Sequence, residues 1–226
     1  YKGNQYWAPP LKKGEMKYLD PNYNPAFKFS DAKFFIAIKD EKVVGRIGAI
    51  INHKYNKKTG RKYVRFAKTE FIDDYEVSEA LINKVIEFGK ERGMTEIHGP
   101  LGFTNLDTQG MLVEGFEEVQ SVASVYHLPY YKNHMERLGF EKENDWIEFQ
   151  LKITQHAIDK ASRGAEIVLK RYGFEMAHYN SQKEMLNDAD AVLDIISESF
   201  AHLPYVIPFD EEMKKFYIDK YFDVIN

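Results

Sequence analysis

Apolar residues recur along the chain with two different periods, and the changes of period mark its elements. In FFIAIKDEKVVGRIGAIIN, residues 34–52, two β-rich apolar runs flank the polar turn Asp40-Glu41-Lys42, which predicts a hairpin. KYVRFAKTEF, 62–71, reads as a third strand, with a polar loop at 55–60 before it. Over 74–92 the spacing becomes helical: Val77, Leu81, Val85 and Phe88 form a stripe that Ile82 and Ile86 widen. Asp73 reads as the N-cap of that helix, with Glu76 completing a box-like pattern, and Gly93 as its stop. Beyond it the pattern predicts a short strand at 95–98 ending at Gly99-Pro100, then a loop with a short helix over 101–120. A strand at 121–127 and a helix at 131–138 closed by Gly139 follow, and the clean alternation of WIEFQLKI, 146–153, predicts another strand. Such an order belongs to the α/β class, with a mixed, mostly antiparallel sheet and helices on both faces.

The flanks differ in character. Residues 1–31 are rich in Pro, Asn, Lys and Tyr and read as an irregular arm, tacked to a core by Trp7, Tyr18, Tyr23 and Phe27. After Ile153 the pattern predicts an amphipathic helix at 155–171, a strand at 174–180, and a helix from the capping box Ser181/Glu184 to about Phe200. A loop with Pro204 and Pro208 then leads to a last helix at 211–222. The organisation is therefore an arm (1–31), a core (32–153) and a C-terminal segment (154–226). That segment reads either as the start of a second domain of the same kind or as a piece docked on the first.

Composition narrows the function classes. The net charge of −4 leaves no basic excess to neutralise phosphates, which argues against a nucleic-acid partner. No apolar run approaches the roughly 20 residues of a membrane helix, so no membrane partner is expected. The absence of cysteine excludes disulfides and thiolate metal sites and fits a cytoplasmic protein. The seven histidines are scattered, none at ligand spacing from another ligating residue, so no metal is expected. The chain opens at Tyr1 and reads as part of a longer one.

FFIAIKDEKVVGRIGAIIN, then SEALINKVIEFGKERGMTEIHGPLGF, then YYKNHMERLGF before WIEFQL together resemble the GNAT superfamily of acyl-CoA N-acyltransferases, and more closely a bacterial group of GNAT-like proteins without assigned substrates. Val44-Gly45, Arg92-Gly93 and Gly139-Phe140 match a hairpin ending in Val-Gly, a helix ending in Arg-x-Gly and a late helix ending in Gly-Phe. The likeness covers about half the chain. It implies acetyl-CoA or another acyl-CoA as cofactor and a small-molecule amine or aminoacyl group as acceptor. It also places the cofactor pyrophosphate at the start of the central helix, over Glu76, Val77 and Ser78. There the sequence departs from the family's Gln/Arg-x-x-Gly-x-Gly/Ala: Asp73 falls at the Gln/Arg position, Glu76 at the first Gly and Ser78 at the last small residue. Carboxylates at a helix start satisfy its free N–H groups themselves and repel a pyrophosphate.

Acyl transfer to an amine needs a base that leaves the nitrogen uncharged. Glu70 ends the third strand and His98 the next, so both fall near the strand ends where a thioester would lie. Each also reads as an ordinary strand-end or turn-capping group. The family's leaving-group tyrosine falls here at Met135, which has no proton to give; Tyr131, one turn earlier, is the substitute candidate. In the glycine-punctuated loop GPLGFTNLDTQGMLVEGF, Asn105, Asp107 and Gln109 are candidate substrate-binding residues together with Tyr126 and Tyr130. The competing reading is a degenerate GNAT domain that holds a small ligand or peptide in its cleft without catalysis.

Overall fold

The computed structural model describes residues 1–121 and 124–221. Its centre is a four-stranded sheet in the order β1 (Ser30–Lys39), β2 (Lys42–Asn52), β3 (Tyr63–Phe71), β4 (Glu96–His98). β1, β2 and β3 run antiparallel in sequence, and β4 adds a parallel edge. The fold is α/β with a mostly antiparallel sheet, as the apolar pattern predicts. Asp40 and Glu41, both at positive φ (50° and 61°), close the hairpin between the paired Lys39 and Lys42. Two such residues make the tight turn whose twist matches that of the strands.

Helices cover both faces. On one lies α3 (Tyr75–Lys90), which buries Val77, Leu81, Ile82, Val85 and Phe88 against Ile47, Ala49, Ile51, Val64 and Phe66. Each such side chain contributes roughly 1.5–3 kcal/mol of burial. Gly45 permits the close approach, since a Cβ there would lie 2.8 Å from Leu81 Cδ1. The second face is covered in part by the arm, with α1 (Lys12–Leu19) and a 3-10 turn (Pro25–Lys28), and in part by α8 (Glu211–Tyr221). Tyr18, Ala26, Met213 and Tyr217 pack there around Phe103 and Ile50. Gly48 serves this face as Gly45 serves the other: the Phe34 ring lies where its Cβ would be.

An irregularity in β3 shapes the hairpin end of the sheet. Lys68 sits at φ 51°, and the β2–β3 register shifts between Arg46 and Gly48. A non-glycine residue in the left-handed region costs about 1 kcal/mol or more. It is held there by an ion pair to Glu15 of α1 (2.7 Å) and by the Tyr18 ring under its ammonium. The bulge flips the alternation. Val64 and Phe66 face α3, yet beyond the bulge it is Phe71, three residues after Lys68, that faces α3, while Glu70 pairs with Arg46.

Several sequence expectations are corrected. The N-cap of α3 is Asp74, not Asp73: the Asp74 side chain accepts the Glu76 N–H (3.0 Å). Residues 101–120 contain no helix, because the segment's turns are closed by bonds such as Gly110 N–H to Pro100 C=O (2.9 Å). Polar residues expected in a loop at 55–60 instead fall largely in α2 (His53–Thr59), capped by Asn52. Residues 146–153 form no strand, and Ile147, Phe149, Leu151 and Ile153 are 73–81% exposed. Residues 174–180 form none either. Alternation marks a segment able to pair, but β4 pairs only along residues 63–65 and neither segment is laid against a sheet edge. Of the strand expected at 121–127, positions 122 and 123 lie outside the described residues, and the remainder is irregular.

After α4 (Tyr130–Arg137), the helix α5 (Gln155–Tyr172) buries no residue. The short α6 (Gln182–Met185), α7 (Ala189–Phe200) and α8 bring the chain back, with Leu193 and Tyr217 in the core. A single polar side chain, Asn52, joins the end of β2 to the segment after β4. It accepts the Tyr55 N–H (2.8 Å), donates to the Phe103 carbonyl (2.7 Å) and is 1% exposed. Asn52→Ala removes the cap, strands the buried Tyr55 N–H and leaves the Phe103 carbonyl only its longer bond from Arg65 (3.4 Å). The expected loss is about 2–3 kcal/mol of unfolding free energy, read as a lower urea midpoint at unchanged m-value.

Candidate functional site

Where the second cover stops, at the hairpin end of the sheet, a cavity of about 440 Å³ opens between β1, β2, the end of β3 and the start of α4. Glu70 stands in it. Its Oε2 accepts from the Tyr131 hydroxyl (2.8 Å) and from the Tyr1 hydroxyl (2.6 Å). Oε1 lies 4.0 Å from Arg46 Nη2 on the neighbouring strand. Tyr131 also accepts the Phe71 N–H (3.1 Å), and its buried ring packs on Phe71 with centroids 4.2 Å apart. Tyr130 stacks on Tyr131 and donates to the Phe71 carbonyl (2.5 Å). Burial pushes the Tyr131 phenol well above its ordinary range, and the Glu70 charge adds to that shift. The Tyr1 phenol is raised in the same direction by the same two causes. Both phenols therefore stay protonated and act as donors that orient the carboxylate.

Of the three catalytic candidates, Glu70 and Tyr131 meet and His98 stands apart. His98 pairs across the sheet with Arg65, five residues before Glu70, which is about 16 Å along a strand. Its Nε2 is bonded to the Glu143 carboxylate, and its ring lies between Tyr63 and Tyr205. Burial lowers its pKa.

The substrate-binding candidates divide in the same way. Tyr130 lines the cavity; Tyr126 adjoins it, packing edge-on against Tyr1 with centroids 5.6 Å apart. Its hydroxyl donates to the Phe116 carbonyl and accepts from Asn4 of the arm. Asn105, Asp107 and Gln109 do not line the cavity, and Asp107 lies instead within reach of Lys68 and of Lys220 on α8. The Asp107 carboxylate accepts the Thr104 N–H (3.0 Å), and burial raises its pKa. Gln109 donates to the Asn105 carbonyl (2.7 Å). Asp107 and the Gln109 amide N–H are thus used on the loop's own backbone, whereas Asn105 Oδ1 and Gln109 Oε1 are buried without a hydrogen-bond partner among the described residues.

The start of α3 does not fit a pyrophosphate. Asp74 caps it and is bound by Lys39 (2.7 Å), which also lies 3.7 Å from Glu76. Asp73 accepts from His134 Nε2 (3.0 Å), and His134 Nδ1 lies 2.8 Å from Ser78 Oγ. Ser78 is fully buried, and its hydroxyl donates to the Tyr75 carbonyl (2.8 Å). Thus Ser78 and Val77 face the core, Glu76 adds a further negative charge, and the carboxylates answer the helix dipole themselves. The run Ser78–His134–Asp73 clamps α3 to α4; with Ser78 closed to solvent it holds no exposed nucleophile.

Sequence reasoning missed Arg46, His134 and Tyr1. Arg46 is the one charge inside the apolar run VVGRIGAII, a usable signal. His134 and Tyr1 carry none, since their partners lie 56 to 130 positions away.

No protein-family model matches the chain. It is 28% identical over 154 residues to protein YghO of Escherichia coli, which covers 68% of this chain and 39% of that protein. A bacterial ceramide synthase of Caulobacter vibrioides is 27% identical over 194 residues, covering 81% of this chain and 50% of that one. The chain thus spans half or less of the length of these relatives. Among solved structures, an acetyltransferase of Trypanosoma brucei superposes with a TM-score of 0.36 at 17% identity, over 64% of this chain and 83% of that one. Among the described residues, no helix is long and apolar enough to cross a membrane.

A buried histidine near the site gives a pH prediction. His127, packed on Tyr131 and accepting the Leu112 N–H, has its pKa lowered by burial to about 4. The unfolded chain takes up that proton near pH 6.5, so it binds more protons than the folded one between these values. Stability contributed by neutral His127 is complete above about pH 6.5 and is lost as the pH falls towards 4. Urea unfolding at pH 7 and pH 5 should show the drop, and His127→Gln should lessen it.

Proposed function

We propose that this chain is the acyl-transfer unit of a GNAT-type N-acyltransferase, cytoplasmic, acting on an amine rather than on nucleic acid or a membrane. The observation that carries the reading is the Glu70 carboxylate, oriented by two protonated phenols at the open end of β3. An amine is charged at neutral pH. Glu70 removes that proton, so that the nitrogen lone pair is free to attack an acyl carbonyl. Tyr131 holds the carboxylate in place through its second bond to the Phe71 amide. The relative named a ceramide synthase supports amide formation, since a ceramide is an amide. The resemblance in motif order makes acetyl-CoA or a longer acyl-CoA the donor. The acidic start of α3 means that its pyrophosphate is not anchored there.

That same blocked helix start favours a second reading, a GNAT-type domain that binds an amine without acylating it. Release of free thiol from acetyl-CoA and longer acyl-CoAs, measured against a panel of amines, separates the two. Amine-dependent release that falls about 10²–10⁴-fold in Glu70→Gln is expected if Glu70 is the base. Release unchanged in that variant rules Glu70 out, and no release with any pair supports the binding reading.

A further inference from the structure

The open sheet face also carries information about the acceptor. After the bulge at Lys68, the side chains of Ile36, Arg46 and Glu70 stand in one row across β1, β2 and β3. Next to that row, Ile38 pairs with Val43 at the hairpin tip. Ile36, Ile38 and Val43 are 62–66% exposed, and Ile36 and Val43 line the cavity that contains Glu70. Ile72 and Leu128 complete an apolar wall. Arg46 and Glu70 are the charged residues of this lining, and they face each other.

From these residues we infer that the site takes a primary amine carried on an uncharged, unbranched apolar stem, with the nitrogen at Glu70 and the stem along Ile36 and Val43. The inference rests on the acyltransferase reading for its chemistry but not for its geometry. A carboxylate or phosphate on the acceptor would have to share Arg46 with Glu70, 4.0 Å away, and would meet the Glu70 charge. A polar stem gains nothing from the isoleucine and valine side chains, whereas each methylene laid on them leaves water. The Tyr1 hydroxyl, bonded to Glu70 and 3.0 Å from the Tyr131 hydroxyl, marks a donor position that a bound amine would take over, leaving Tyr131 to hold the carboxylate.

The test is calorimetric binding of butylamine, hexylamine, octylamine and octanoate to the chain without any acyl donor. Full burial of a methylene is worth about fourfold in affinity, and a half-covered track about twofold, so octylamine should bind about 16-fold more tightly than butylamine. Octanoate should not bind. The double variant Ile36→Ser, Val43→Ser changes exposed positions, and it should bring the octylamine-to-butylamine ratio towards one. Glu70→Gln should weaken all three amines while keeping their length dependence. Equal affinities across the amine series, or octanoate binding as well as octylamine, overturns the inference. Length-dependent binding without acylation of octylamine by any acyl-CoA overturns the acyltransferase reading and leaves the apolar track standing. Acylation of amines whose binding ignores stem length does the reverse.

Discussion

The structure depends on the need of the antiparallel strands β1–β3, the main part of the four-stranded sheet, to bury two faces. The first face is closed along its length by α3, because Gly45 and Gly89 let the helix lie close to β2 and β3. The second is closed over only part of its length, by the arm and α8 around Phe103. Uncovered sheet surface in a folded domain costs about 25 cal/mol for each Å² of apolar area left in water. That cost is carried at the hairpin end, by Ile36, Ile38 and Val43, and it is the place where Glu70 lies. An opening of this kind is how a mostly solid α/β domain makes room for a ligand.

The bulge at Lys68 links that opening to chemistry. Without it, strict alternation in VRFAKTEF would put Glu70 on the same face as Val64 and Phe66, under α3, where an unpaired carboxylate would be driven towards its neutral form. With it, Glu70 is turned to the open face and paired with Arg46, while Phe71 fills the core position. The arm that covers the neighbouring stretch also fixes the bulge, through Glu15 and Tyr18. Packing of the arm and orientation of the carboxylate are therefore one constraint.

This explains which parts were legible in the sequence. The hairpin and α3 were, because apolar period is a local signal, although the cap of α3 fell one residue later than the sequence suggests. Glu70 and Tyr131 were recognisable as candidates from their places at a strand end and on a helix before Gly-Phe, but nothing local shows that the two meet or that Tyr1 joins them. The alternation of 146–153 was legible as a capacity and misleading as a fact, since pairing is decided by a distant edge and not by the strand itself. Asn105, Asp107 and Gln109 are legible only as polar loop residues, and where their side chains turn is not a local signal. Such side chains readily bond to nearby backbone, as Asp107 and the Gln109 N–H do, while Asn105 Oδ1 and Gln109 Oε1 do not.

The start of α3 is where magnitudes decide. A helix N-terminus favours an anion by about 0.3–1 kcal/mol at an exposed site. Two like charges at 4 Å near a protein surface oppose each other by about 4 kcal/mol before salt screening. Asp73, Asp74 and Glu76 set three carboxylates at this one turn, against which stand Lys39 and, when protonated, His134. Even after generous screening, the repulsion felt by a doubly charged pyrophosphate exceeds what the dipole gives back, and Asp74 has already taken the Glu76 N–H that would have received it. Any donor used by this chain must therefore draw its hold from elsewhere than this turn. The apolar wall and the Glu70–Tyr131 pair remain as the open part of this end of the sheet, where the proposed acceptor would have to be held.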